Sequence, residues 1–429
     1  MKPLLSTLLL AATMVHAAPP LRDRLNDTNA KGQSLWIYND LHKAFAEAKR
    51  TGKPLFVTFR CVPCHACAAF DAEVAKGSDR VANLARKEFI SVRQVEMKGV
   101  DLTQFQFDYD LNWAAMFLNA DGTVYARYGT QSSDGPDAYN SVDSLIKTMQ
   151  RVLTLHANHP RNKAQLTGKR GAAKPYKTAM EMPGLENKAN YRLLTQRNNC
   201  IHCHNIHDAE NLQLMREKKL TPEKLWRYPL PENVGLQIDP KDGQRISRVL
   251  PNSPAARAGL KPGQAITHLD GQAIASIADI QWVLHNRKNG QETLRVQTAN
   301  ATQPHLIGTQ PNWKKTDFSW RGSLWALPPR MRVYTPEVKA NELARLKLPA
   351  GQGALKVKWI NTSSPEGRAA RAAGLRLNDY IVAINGKPVR GLDHRKFNYW
   401  IKQNYKPGDT LPITILRNGR RMNFNWPLK

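Results

Sequence analysis

The C-terminal half of the 429-residue chain repeats itself. Ser253-Pro254-Ala255-Ala256-Arg257-Ala258-Gly259-Leu260 leads to Asp270-Gly271, and Ser364-Pro365, then Ala372-Ala373-Gly374-Leu375, leads to Asn385-Gly386. Gly259 and Gly271 stand as far apart as Gly374 and Gly386, and the second copy carries about one extra helical turn after Ser-Pro. Each copy must therefore be a structural unit of its own. At about 100–200 residues per domain, the length suggests two to four domains in all.

The stretches Ser-Pro-Ala-Ala-x-Ala-Gly-Leu-Lys-Pro-Gly and Ala-Gly-Leu-Arg-Leu-Asn-Asp-Tyr-Ile-Val-Ala-Ile-Asn-Gly resemble the PDZ domains of HtrA-type bacterial proteins. The resemblance covers 230–299 and 346–429, with 300–345 connecting them. Gln264 departs from it, standing where an acidic residue is usual after Pro-Gly; the second copy keeps Asp379. Such a module works by strand addition, pairing a peptide C-terminus with a strand edge while backbone N–H groups hold its carboxylate. The resemblance assigns that loop to Gly235, Leu236, Gln237 and Ile238, and to Ala354, Leu355, Lys356 and Val357. It starts the facing helices near Asp279 and Asp393, with Ile280 and Val283, or Phe397 and Ile401, lining the pocket. An exported protein partner is implied; the alternative is a degenerate copy that packs only on its neighbours. No Gly-Asn-Ser-Gly-Gly or Gly-x-Ser-x-Gly segment occurs, which excludes a serine protease.

Lys2, the apolar run Leu4 to Ala18 and the site-like Val15-His16-Ala17 read as a secretory signal peptide, 1–17, cut after Ala17. Nothing later is long and apolar enough for a transmembrane segment. The chain is expected to be exported, most simply to the periplasm. Lys+Arg of 63 against Asp+Glu of 35 gives +28, which calls for acidic partners. Export argues against nucleic acid.

All five cysteines fall in two groups. Cys200-Ile201-His202-Cys203-His204 is the c-type haem attachment pattern, in which two thioethers grip the haem vinyls and the next histidine ligates iron. Cys200, Cys203 and His204 are thus candidate ligands of one haem c, in a segment, 191–227, read as helical. A structural disulfide, or zinc with His202, His204 or His207, competes. His207 lies one turn on, on the proximal side; Met215, Met180, Met182, His156 and His159 remain as sixth ligands, and Trp313, Trp320 and Trp325 as walls.

The other group, Cys61-Val62-Pro63-Cys64-His65-Ala66-Cys67, follows the strand-like Pro54-Leu55-Phe56-Val57-Thr58-Phe59. With the later hairpin Ala115–Tyr125 around Asn119-Ala120-Asp121-Gly122 and a closing helix Ser141–Leu155, this resembles the thioredoxin fold over 36–156. The resemblance makes Cys61 the attacking and Cys64 the resolving thiol. Arg60 replaces the family's tryptophan and could lower the thiol pKa, the strand from Lys53 to Arg60 lacks a buried acid, and Trp113 stands where the family's cis-proline falls. These departures favour a bound metal or haem. Cys61, Cys64, His65 and Cys67 suit Cu(I) or zinc, and Cys61-x-x-Cys64-His65 leaves a second haem open. The basic stretch 157–190 reads as a solvated linker.

The fold expected is therefore multidomain: an α/β thioredoxin-like domain, a short helical haem-motif segment and two α+β PDZ domains. The leading function is a periplasmic redox protein with haem for electron transfer, a redox partner and PDZ-bound exported peptides. Its rivals are a non-enzymatic PDZ scaffold with structural cysteines, and a copper-handling or cytochrome assembly factor.

Overall fold

The structure, a computed structural model, describes residues 20–25, 27, 35–62, 68–74, 79–186, 188–191, 200–288, 292–325 and 327–429. The signal segment, Cys64, His65 and Cys67 lie outside the described residues. The N-terminal domain comprises β1 (Trp36–Tyr38), α1 (Leu41–Thr51), β2 (Leu55–Arg60), α2 (Ala68–Ala72), α3 (Asp79–Glu88), β3 (Ile90–Gln94), β4 (Trp113–Leu118), β5 (Val124–Tyr128) and α4 (Val142–Ala157). Its sheet has the order β1-β3-β2-β4-β5. The central strand β2 runs parallel to β3 and antiparallel to β4. Both its faces are covered, so every residue is buried and the run reads as continuously apolar. Leu55, Val57 and Phe59 enter one core with Phe105 and Met116. Phe56 enters the other, stacked on Phe117 with ring centroids 5.0 Å apart. The hairpin and the closing helix stand where the sequence placed them, with Ser141 capping α4 through Ser144 N–H at 3.1 Å.

The basic stretch is not a solvated linker. Leu166 reaches the second core, and Tyr176, Ala179, Met182 and Leu185 reach the first. Lys169 is buried against Asp279 at 2.8 Å, so its charge is neutralised where it leaves water. Its large apolar residues are sparse, but Leu166, Tyr176, Met180, Met182 and Leu185 each find a place in or against a core. The next long helix, α5 (Cys203–Arg216), packs on the first core through Ile206 and Ala209. Close approach requires Gly184, where a Cβ would stand 1.9 Å from Ala209 O.

The first repeat comprises β6 (Leu236–Ile238), β7 (Ile246–Val249), α6 (Pro254–Arg257), β8 (Ile266–Leu269), β9 (Gln272–Ala273), α7 (Ile277–Asn286), β10 (Thr293–Thr298) and β11 (His305–Gly308). Its sheet order is β11-β10-β8-β9 beside a β6-β7 pair, so β11 carries the unit past the expected boundary at 299. The second comprises β12 (Val333–Tyr334), β13 (Leu355–Lys356), β14 (Trp359–Ile360), α8 (Pro365–Ala372), β15 (Tyr380–Ile384), β16 (Lys387–Pro388), α9 (His394–Asn404), β17 (Thr410–Arg417) and β18 (Arg420–Pro427). Met331 and Val333 lie in its core, so it starts ahead of the expected 346. Ser253 and Ser364 cap α6 and α8, and α8 has the extra turn. At the departure noted above, Gln264 Oε1 accepts Lys261 N–H at 2.8 Å, as Asp379 Oδ2 accepts Arg376 N–H at 2.7 Å. The amide thus replaces the carboxylate as turn acceptor.

Candidate functional site

Parallel pairing of Phe59 with Gln94 carries the residues after β2 and β3 out side by side. Cys61 and Glu96 therefore leave the sheet at the same end. Arg60, opposite Trp113 in the register, is buried. Its guanidinium is taken by Asp71, which also binds Arg93 Nη2 at 3.0 Å and Trp113 Nε1 at 2.9 Å. Burial alone would raise the Asp71 pKa, but Arg93 and Arg60 hold it below the usual carboxylate range. The expected help of Arg60 to the Cys61 thiol is thus diverted to Asp71.

The second cysteine group arrives at the same place. Ile201 N–H donates to Glu96 Oε1 at 2.9 Å, and Met97 N–H donates to Ile201 O at 3.1 Å. Cys200 is buried beside Glu96, which with burial raises its thiol pKa. His202 is extended, so within the segment read as helical Cys200 lies ahead of α5 and Cys203 on its first turn. Burial pushes the Cys203 thiol up strongly, and nearby Cys61, Asp110 and Glu96 push the same way. Glu96 Oε2 is buried without a hydrogen bond, 3.7 Å from Lys98 Nζ.

His204 Nδ1 lies 3.2 Å from Asp208 Oδ2, which orients the ring and leaves Nε2 as the atom that could hold a metal. That orientation fits the proximal histidine of a haem. Other expected haem neighbours are engaged elsewhere. His156 contacts Tyr125 Oη and Gly52 O, His159 contacts Asp121, and Met182 is buried in the first core. Trp313 packs on the first repeat, Trp320 on Arg321 and Trp325 on His394.

His207 belongs to a buried network that sequence did not reveal, because its partners are far apart in the chain. His207 Nδ1 contacts Asp110 Oδ2 at 3.0 Å; Arg321 Nη1 donates to Asp108 Oδ1 at 2.6 Å and contacts Asp110 Oδ2 at 3.2 Å. Ser323 N–H and Oγ–H both donate to Asp110 at 2.8 Å. Asp108, Asp110 and His207 bring ligand atoms within 4.8 Å of one another, as a metal site would. The Arg321 guanidinium already supplies the positive charge. The adjoining Gly322 backbone lies on His204: a Cβ there would stand 3.3 Å from His204 Cγ.

The two repeats treat their grooves differently. The Leu236–Ile238 edge is where expected, and Gly235 is left-handed at φ 92°. The helix that would wall this groove is pressed onto β5. Asp279 accepts Arg127 N–H at 3.1 Å, Thr130 Oγ1 bonds Gln281 at 2.8 Å, and Ile277 through Leu284 are all buried. Ile280 and Val283 serve the core.

In the second repeat the assignment to Ala354, Leu355, Lys356 and Val357 is corrected. Leu355 pairs with Ile381 on one side, and Lys356 N–H bonds Pro336 O at 2.9 Å on the other, so no edge is free there. Ala354, Leu355 and Val357 are buried. The edge is β12, which pairs only with β14 among the described strands. It faces α9 across a cavity of about 510 Å³ lined by Trp325, Arg330, Arg332, Tyr334, Trp359, His394 and Asn398. Phe397 and Ile401 point into the core, so the groove face of α9 lies on the other phase. Trp325, Tyr334 and Trp359 are 42%, 47% and 52% exposed, an aromatic lining open to solvent. The His394 ring stacks on Trp325 at 5.2 Å and accepts Thr335 N–H on Nδ1 at 3.2 Å. Burial holds its pKa down to about 4, so it is neutral at pH 7. Burial above all, with Arg330 and Arg332, pushes Lys402 down to about 7; Arg330 in turn lies 4.0 Å from Glu186.

Comparison with known proteins matches this arrangement domain by domain. Residues 36–120 match a thioredoxin-like family model, and 245–298 and 355–428 each match a PDZ domain model. Among curated relatives, a "Probable periplasmic serine endoprotease DegP-like" of Marinomonas sp. is 26% identical over 194 residues, 45% of this chain and 38% of that protein. The magnetosome formation protease MamE of Magnetospirillum gryphiswaldense is 25% identical over 229 residues, 45% of this chain and 28% of that protein. The chain thus spans well under half the length of either. Among solved structures, a disulphide isomerase from Xylella fastidiosa Temecula1 is 22% identical, covering 28% of this chain and 87% of that one at a TM-score of 0.18. No helix of the described residues is long and apolar enough to cross a membrane. The chain carries one thioredoxin-like domain followed by two PDZ domains.

Proposed function

We propose that this is an exported redox protein that holds a protein partner by its C-terminus in the second PDZ groove and exchanges electrons with it around Cys61. One observation carries the reading: Ile201 is bonded to Glu96 and Met97, which brings the Cys200-x-x-Cys203 pair to the strand end that bears Cys61. Two cysteine groups far apart in sequence serve one site. The signal-like N-terminus and the periplasmic names of relatives support export. The open aromatic groove, with Arg330 and Arg332 at its end, supports capture of a peptide carboxylate. Thiol chemistry is the first form of this function. Its test is differential alkylation of the full chain equilibrated at set glutathione potentials: Cys61 should switch between free and protected across the physiological range. A Cys61 that stays alkylatable at every potential would refute it.

The orientation of His204 by Asp208 favours a second form. A haem would be held by Cys200, Cys203 and His204 and would supply one-electron transfer. The two forms are exclusive at Cys203, a thiol in one and a thioether in the other. Intact mass and visible spectrum of protein exported from a host able to attach c-type haem decide between them. One covalent haem, lost in C200S/C203S, establishes the second; none leaves the first.

A further inference from the structure

Cys61 is not confined to a partner within its own motif. The parallel register of β2 and β3 brings it out at the same end of the sheet as Glu96, and Ile201, next to Cys200 and just ahead of α5, is bonded to Glu96 and to Met97. Cys203 packs on the first core among residues that include Phe59, two positions before Cys61. The mount is stiff: His207 and Ser323 both hold Asp110, and Arg321 bridges Asp110 to Asp108.

We infer that Cys61 and Cys203 are a working dithiol, forming a reversible disulfide between the thioredoxin-like domain and the Cys200-x-x-Cys203-His204 segment. This deepens the proposed function and rests on its thiol form. The co-reactant is a disulfide, carried by the captured partner or by a small thiol. The Cys61 thiolate attacks one sulfur of that disulfide; the S–S bond breaks, and one thiol leaves with the electron pair and takes up a proton. The Cys203 thiolate, its proton released to solvent, then attacks Cys61 Sγ of the mixed disulfide, and the second thiol leaves with the electron pair and takes up a proton. In sum two cysteine thiols are oxidised and one disulfide is reduced to two thiols. The order follows from position: Cys61 leaves the end of β2, whereas Cys203 is held on the first turn of α5 against the first core, so Cys203 acts second, on a mixed disulfide brought to it.

The test uses the full chain, reduced, then treated with oxidised glutathione, acid-quenched, alkylated and digested for tandem mass spectrometry. The expected product is a peptide linked through Cys61 and Cys203, with faster migration on a non-reducing gel. That band should vanish in C61S and C203S and persist in C200S. In C203S, glutathione should stay on Cys61, its release slowed about tenfold or more by loss of the intramolecular thiol. Linkage of Cys61 only to Cys64, linkage of Cys200 only to Cys203, or a haem thioether on Cys203 would each overturn the inference. The first of these leaves the redox function standing, whereas cysteines that respond to no potential end both. Because the linkage is mapped in the unaltered protein, a misfolded variant cannot decide the result.

Discussion

Arg321→Met tests what holds the second cysteine group in place. In the parent, Arg321 donates to Asp108 at 2.6 Å and to Arg227 O at 2.7 Å, and touches Asp110 at 3.2 Å. Burial opposes its charge, but the two carboxylates outweigh burial and raise its pKa. Methionine fills much of the same space yet leaves two carboxylates buried without their cation. Breaking such a pair costs about 3–5 kcal/mol. The chain has several domains, so one melting temperature would blur the effect. Hydrogen exchange reads it locally: amides of α5 and of the Gly322–Leu324 turn should lose about two to four orders of magnitude of protection, at about 1.36 kcal/mol per decade. The vacated cluster of Asp108, Asp110 and His207 should then accept a small oxygen-preferring cation. Mn²⁺ at about a hundred times its dissociation constant should return about 2.7 kcal/mol, and should return nothing to Arg321→Met/Asp110→Asn. Loss below about 1 kcal/mol, or equal rescue of the double variant, would refute the assignment of Arg321 as the counter-charge.

Two further outcomes follow from buried titratable groups. His394 is held near pKa 4 against 6.5 for the free residue, so the folded state resists protonation. Its contribution is complete above about pH 6.5 and is lost as pH falls toward 4. The full shift would be about 3.4 kcal/mol; with a third of the group solvated, about 1–2 kcal/mol is expected. Denaturant melts of the second PDZ domain at pH 7 and pH 4 should differ by that amount in the parent and by less in His394→Asn; equal differences would refute it. Lys169→Met strands Asp279, which keeps the N–H groups of Arg127 and Ala275. The loss should be about 2–3 kcal/mol, read as faster proteolysis between the thioredoxin-like and first PDZ domains, and unchanged cleavage would count against the pairing.

The elements legible in sequence were those set by local pattern. The apolar run of β2, the hairpin around Gly122 and the capped Ser-Pro turns are each decided by residues near in the chain. The second peptide loop was misplaced because it was assigned by resemblance to the family, which does not show that Ile381 and Pro336 close both sides of Ala354-Leu355-Lys356-Val357. Alternation cannot tell a strand paired on both sides from one at an edge. Helix phase failed for a related reason: Phe397 and Ile401 are the more apolar face of α9 and went to the core, leaving His394 and Asn398 to the groove. The stretch 157–190 misled because a buried lysine such as Lys169 is permitted only by a partner 110 positions away. The Asp108–Asp110–His207–Arg321 network has the same character, since ion pairs between distant segments leave no periodicity.

The different fates of the two repeats define how a captured partner would be presented. The first gives its helix to the thioredoxin-like domain: Arg127 lies over Trp282 at 3.5 Å, and Trp282 Nε1 bonds Gly168 O at 2.8 Å. The second keeps its groove open. Between them the chain passes through one short turn with two loyalties, Gly322 against His204 and Trp325 against His394. Three residues of backbone span at most about 11 Å. The groove wall and the cysteine site are therefore tied by a stiff link, unlike receptor domains on flexible tethers, whose advantage is spread over all the positions a linker can reach. A rigid frame favours only partners whose disulfide lies at a matching distance from their C-terminus. Lengthening the tail of such a partner should thus lower its exchange rate while leaving its affinity for the groove unchanged.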